Sequence, residues 1–388
     1  MAFSSFRQGN YTASFYTLLI PSIPILPIII LSLLRYLFAT EDKEHKVYQS
    51  LKSALKEPLE VRTLSLNDKK MATLPKEIGS LKNLRELYVS MIKLTTLPKE
   101  IGELQNLERL HLEKNSFDAL PKEIGNLQKL QYLILIENKL NSLPSEISKL
   151  QNLSSLDLGK NSFDALPKEI GNLKNLEQLI LSGNKLNSLP SEISKLKKLW
   201  ELNLSNNNFD TLPKEIGNLE NLNRLFLSGN NLKNLPLEFS KLRLEELDLS
   251  GNKFNSLPLE ITKLQNLQRL DLSKNSLDAL PKEIGDLKNL GALKLSENKF
   301  NRLPLEAVNI YSLDLSKNNL DVLPKEIEKF KNLTELKLSE NNLTTIPDEI
   351  SKLAELRQLF LGKSKISKQV IEKLKKLLPN CNIYTDEQ

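Results

Sequence analysis

The chain has 388 residues, 40% of them hydrophobic and 26% charged, with a formal charge of +6. That balance supports a sizeable core, and Lys and Glu interleaved as "PKEI" make a solvated mixed surface rather than a nucleic-acid groove. One cysteine, Cys381, and two histidines, His45 and His111, allow no internal disulfide and leave little for a structural zinc site or a nucleophile–base pair. No catalytic residue, metal site or cofactor is therefore expected.

In chain order, the first feature is an uncharged run from Phe15 to Leu34, long enough to span a bilayer. Pro21, Pro24 and Pro27 would disturb a continuous helix, and a secretory signal with Leu37 and Ala39 before the cleavage point is the alternative. Residues 1–39 are thus expected to be a signal peptide or a membrane anchor. Residues 40–60 read as a helical cap. Thr40 is placed to be its N-cap, Val47, Leu51 and Leu55 fall on one face, and Pro58 stops it. Such a cap covers the open edge of whatever sheet follows.

From residue 61 to 366 the chain repeats. Leu-Pro dipeptides place prolines at 75, 98, 121, 144, 167 and 190, each 23 residues after the last, and later intervals of 22 (236 to 258) and 20 (304 to 324) are shorter. A fixed period of this size means a solenoid, whose units bury their apolar faces against one another. In one unit, Leu179 and Leu181 are two apart and point into the core of a short strand, while Gln178, Ile180 and Ser182 point out. "LPKEIGNLKN" returns the chain, with Leu166, Ile170 and Leu173 inward and the proline favouring an irregular or short helical turn.

A column of asparagines marks the end of each strand: Asn115, Asn138, Asn161, Asn184, Asn207, Asn230, Asn252, Asn275, Asn298, Asn318 and Asn341. An amide side chain both donates and accepts, so it suits the backbone groups that lose ladder partners where the chain turns inward. Lys69, Ile92 and Ser364 stand in the column at the ends of the array. Residues 367–388 read as a closing cap. Ser367 starts a helix through Leu378, and Cys381 and Ile383 fall 22 residues after Leu359 and Leu361, in register for a last strand.

These residues resemble the leucine-rich repeat, over about fourteen units from Val61 to Ile366. The phrase "LPKEIGxLxNLxxLxLxxNxL" is most similar to the many-copy leucine-rich repeat proteins of leptospiral spirochaetes, and also to the intracellular, Ras-associated leucine-rich repeat proteins of plants and animals. The resemblance implies an α/β fold: a right-handed solenoid, or horseshoe, with a concave parallel β-sheet and a short helical or irregular convex side. It also implies a protein-binding module without enzymatic activity.

Outward strand positions are where units can differ without harming the core. Tyr88, His111, Tyr132, Ile134, Ile136, Ile180, Trp200 and Phe226 gather in the N-terminal half and are the expected partner-binding residues of the concave face. Asp248, Asp271, Lys294, Asp314 and Lys337 follow with mixed sign, as cross-strand pairing explains. The expected partner is a protein of unknown identity, with a host or cell-surface protein among the candidates. Nucleic acid is not expected, and membrane attachment would run through the apolar segment. Export to the envelope or cell surface is the expected fate. The alternative is a cytoplasmic or membrane-tethered signalling scaffold of the Ras-associated kind.

Overall fold

The computed structural model describes residues 46–66, 71–307 and 309–385. The apolar run and the first part of the expected N-terminal cap lie outside them. Among the described residues no helix is long and apolar enough to cross a membrane.

The inward leucines dictate the sheet. Sixteen short strands among the described residues form one open parallel sheet, each paired only with its neighbours in sequence. Leu110, Leu133, Leu156, Leu179 and Leu202 stand directly opposite one another on successive strands and are fully buried. This is the expected concave sheet. Most returns among the described residues are 3-10 helices, as at Lys168–Asn172, which starts immediately after Pro167 and ends at Leu173, whose N–H donates to the Ile170 carbonyl at 3.1 Å. Proline has no N–H to lose at that start, and the tight helix crosses the convex side in five residues.

The asparagine column joins the units. Asn184 Nδ2 donates to the carbonyls of Leu158 and Leu181, both at 3.0 Å, and its Oδ1 accepts from the Phe163 N–H at 3.0 Å. One side chain thus serves its own turn and the preceding unit. The ladder begins at Asn115, whose Oδ1 accepts from Ile92 and Leu94, so Ile92 takes the column position without leaving its own N–H unpaired. Lys69 lies outside the described residues. A second amide ladder runs along the turn before the strands: Asn106, Asn152, Asn175 and Asn221 each donate to a carbonyl 24 residues earlier.

Behind the asparagines, the core alternates two sizes of side chain. Phe117, Leu140, Phe163, Leu186, Phe209, Leu232, Phe254, Leu277 and Phe300 occupy one position in successive units, none more than 1% exposed. Large and small layers can interdigitate at crystal-like density, so the packing unit here is a pair of repeats. The convex side is as close. A Cβ at Gly217 would lie 2.2 Å from the Glu238 carbonyl oxygen, a backbone atom that cannot swing aside. Gly217→Ala is expected to destabilise the chain by about 1–3 kcal/mol, read as a lower urea midpoint.

The two shortened units lose residues from the return, as their spacing predicts. In the first, Leu242 takes ψ 155° where the equivalent Leu219 has 75°, and a notch of about 370 Å³ lies beside it, lined by Gly217, Asn218, Glu220, Asn221, Lys241 and Arg243. In the second, no 3-10 helix forms among the described residues between Ala292–Lys294 and Ser312–Asp314. Ala307 and Ile310 fill the core there, and the Tyr311 ring packs over Gly291, where a Cβ would be 2.2 Å from its Cε1.

The ends differ from the sequence reading in detail. Val47–Tyr48 is a strand, paired in parallel with Thr63 and Leu64, and the helix shrinks to Leu51–Ala54 with Ser50 as its N-cap. Pairing the open edge of the first repeat outweighs the helical period, and Val47 is exposed while Leu51 is buried. The C-terminal helix runs Lys368–Leu377, capped by Ser367 as expected, with Leu374 and Leu378 buried. The last strand pairs Ile383 with Leu359, not with Leu361. The helix delivers the chain two residues later than repeat spacing predicts, which preserves the inward face but leaves Cys381 before the strand, half-buried against the core. Burial pushes its thiol pKa up to about 11, far from a reactive thiolate.

Candidate functional site

The strand register places the expected binding residues in three different situations. Tyr88, His111 and Ile134 occupy the same position on successive strands Glu86–Val89, Arg109–His111 and Tyr132–Ile134, here β3, β4 and β5. The Tyr88 and His111 rings are 4.7 Å apart and tilted by 36°. The Arg109 guanidinium lies 5.2 Å from the centre of the Tyr132 ring and pairs with Glu86. Ile136 follows β5 and is half-buried, as are Tyr88, His111, Tyr132 and Ile134. These five form one contiguous surface.

Ile180 and Phe226 do not face water as expected: they are 5% and 6% exposed. They belong to the strands Gln178–Ile180 (β7) and Arg224–Phe226 (β9), on a stretch of concave face where side chains from adjoining strands crowd together. Ser155 and Asp157 of β6 (Ser155–Asp157), and Glu201 and Asn203 of β8 (Glu201–Asn203), are buried in the same way. Phe226 sits under the Arg224 guanidinium at 5.1 Å, and Arg224 pairs with Glu201 at 3.1 Å and Glu246 at 2.8 Å. Trp200 precedes β8, so it stands outside the alternation that puts 201 and 203 on the concave face. It is half-buried at the entry to the strand.

The buried carboxylates were not singled out by the sequence. Asp157 accepts from the Gly159 N–H at 2.8 Å, and burial together with the charges of Glu113 and Glu201 pushes its pKa up to about 7. Glu201 is also held above the usual carboxylate range, by burial, despite Arg224. Burial lowers the pKa of His111, opposed by Glu113 and Glu86. Glu113 has one oxygen, Oε2, that is buried without a hydrogen-bond partner and lies 3.9 Å from His111 Nδ1.

A family model described as leucine rich repeat matches residues 105–163, 151–209, 243–300 and 308–366. The solved structure of a leucine-rich repeat protein of Leptospira interrogans is 40% identical, covers 87% of this chain and 99% of its own, and superposes with a TM-score of 0.74. The chain belongs to the leucine-rich repeat family. It is similar in fold to an internalin of Listeria monocytogenes, 22% identical over 81% of this chain and 89% of that one, with a TM-score of 0.66. It is similar also to a chain of the Drosophila Toll–Spatzle complex, 22% identical over 82% of this chain and 49% of that one, TM-score 0.67. No curated protein matches the sequence.

The family and fold are typical of protein-interaction modules. The leucine-rich repeat frame also explains the aspartates of the C-terminal half. Asp248, Asp271 and Asp314 each accept from the backbone N–H two residues on, at 2.9, 3.0 and 2.9 Å. Asn203 does the same with Ser205 at 3.0 Å. The phrase "LDLS" is therefore a strand-end turn as well as a surface pattern. Cross-strand pairing adds to it at Lys294, 3.3 Å from Asp271. Burial and the neighbouring Asp271 raise the pKa of Asp248. Among the described residues, no three His, Cys, Asp or Glu side chains gather as metal ligands.

Proposed function

We propose that this chain is a non-enzymatic protein-binding module that holds a protein partner on its concave face and works outside the cytoplasm. The observation that carries the binding face is the contiguous surface of Tyr88, His111, Tyr132, Ile134 and Ile136, aromatic and branched side chains on neighbouring strands of a rigid sheet. A solved relative in fold is itself a complex, Toll with Spatzle, which agrees with a protein ligand. Export is supported by the uncharged run from Phe15 to Leu34. The partner on this reading is a host or cell-surface protein.

A photo-crosslinking residue at Ile134, and another at Lys168 on the convex side, tests the face. Adducts are expected from position 134 and not from 168, and the reverse would move the site to the back of the solenoid. Intact mass and protease digestion of whole cells test the address. A chain digestible from outside fits an exported binder, whereas a full-length chain protected until lysis would return the reading to an internal or membrane-tethered scaffold.

A further inference from the structure

The concave face differs in charge from the rest of the chain. Over the two outward positions of the strands from Thr63 to Tyr384, eight carboxylates face five Lys or Arg side chains, although the whole chain is +6. The excess is not evenly spread. Arg109 on β4 and Arg224 on β9 carry ion pairs, but the four strands between them, β5 to β8, hold no basic side chain. Asp157 and Glu201 lie on those strands, and Glu113 stands at their edge, two residues after His111.

Three observations meet there. Glu113, Asp157 and Glu201 lie on one diagonal of the sheet, each two strands on and one outward position back. Among the described residues, no lysine or arginine pairs with Glu113 or Asp157, and a buried oxygen of Glu113 has no donor at all. Beside the diagonal run Tyr132, Ile134 and Ile136, which offer apolar area next to negative charge. A buried acceptor without a donor loses its hydration without compensation, so the arrangement favours a ligand that brings N–H donors and positive charge.

We propose that the partner presents an extended segment carrying lysine or arginine, whose cations lie over Glu113 and Asp157, beside the Glu201–Arg224 ion pair, while its apolar side chains rest on Tyr132, Ile134 and Ile136. This rests on the concave face being the binding face. With a net charge of +6, the chain as a whole offers such a segment no general attraction, so the local acidic strip carries the preference.

The test uses the full chain and two fluorescein-labelled peptides, identical but for lysine or glutamate at every fourth residue, with leucine between. Anisotropy at pH 7.5 is expected to show binding of the lysine peptide alone, weakened by salt. The double variant Glu113→Gln with Asp157→Asn is expected to lose at least tenfold in affinity. Asn203 already makes the turn bond that Asn at 157 would need, so the fold is retained. Asp314→Asn, at the same turn position on a distant strand, is expected to bind as the parent does. Equal binding of both peptides, no loss in the double variant, an equal loss in Asp314→Asn, or thermal stabilisation by calcium alone would each overturn the proposal. If crosslinks from position 134 persist in the double variant, the charge assignment falls and the concave-face reading stands.

Discussion

Asn184→Ala is expected to lower the stability of the solenoid by about 1–3 kcal/mol, the cost of leaving a buried polar group unmet. The Phe163 N–H loses its acceptor in a part of the core that water does not reach, while the Leu158 and Leu181 carbonyls each keep one amide donor, from Asn161 and Asn207. Because each repeat leans only on its neighbours, the break also divides the array, and urea unfolding is expected to broaden or split into two steps. Asn275→Ala makes the comparison. Its bonds have the same lengths within 0.1 Å but it is less buried, so solvent can replace part of what is lost. A loss below 1 kcal/mol at Asn184 would mean that the ladder is decoration and that leucine packing alone joins the units.

The second large effect is a pH dependence. Asp157 has an unfolded pKa near 4 and a folded one of about 7, raised first by burial and then by Glu113 and Glu201. Between those values the folded chain holds a proton that the unfolded chain has released, so stability from this group is lost as pH rises from 4 through 7. Asp157→Asn removes the titration and keeps the bond to Gly159. The stability of the variant relative to the parent is therefore expected to grow by about 2–4 kcal/mol between pH 4 and pH 8. Denaturant unfolding of both proteins at the two pH values measures it. A constant difference would mean that Asp157 stays ionised at pH 5, against its burial.

Most of the solenoid was legible because its physics is local. Leucines two apart, a proline after the strand return and an asparagine at each strand end specify one unit, and a 23-residue period repeats it. What failed to show in the sequence depends on neighbours that the repeat does not encode. Alternation alone makes Ile180, Phe226 and Asp157 outward residues, but adjoining strands of a curved sheet bring their side chains together and bury them. Trp200, expected on the concave face, lies one residue before β8 and so outside its alternation. At the N-terminal end the helical period of Val47, Leu51 and Leu55 competed with an unpaired strand edge, and the edge decided the outcome. The second amide ladder had its own signal, the recurrent "LxNL", which reads as solvent-facing polarity until its acceptors are located.

The alternation of phenylalanine and leucine through the core gives this chain an arithmetic of its own. Removing or duplicating two adjacent repeats leaves every Phe layer between Leu layers, whereas adding or losing one brings like layers together. Lengthening or shortening the array in steps of 46 residues, between Phe117 and Phe163 or Phe163 and Phe209, is therefore expected to cost less stability than in steps of 23. Arrays built in such steps would differ in reach by whole pairs of units, each pair adding roughly 10 Å of strand face on which a new ligand could be held.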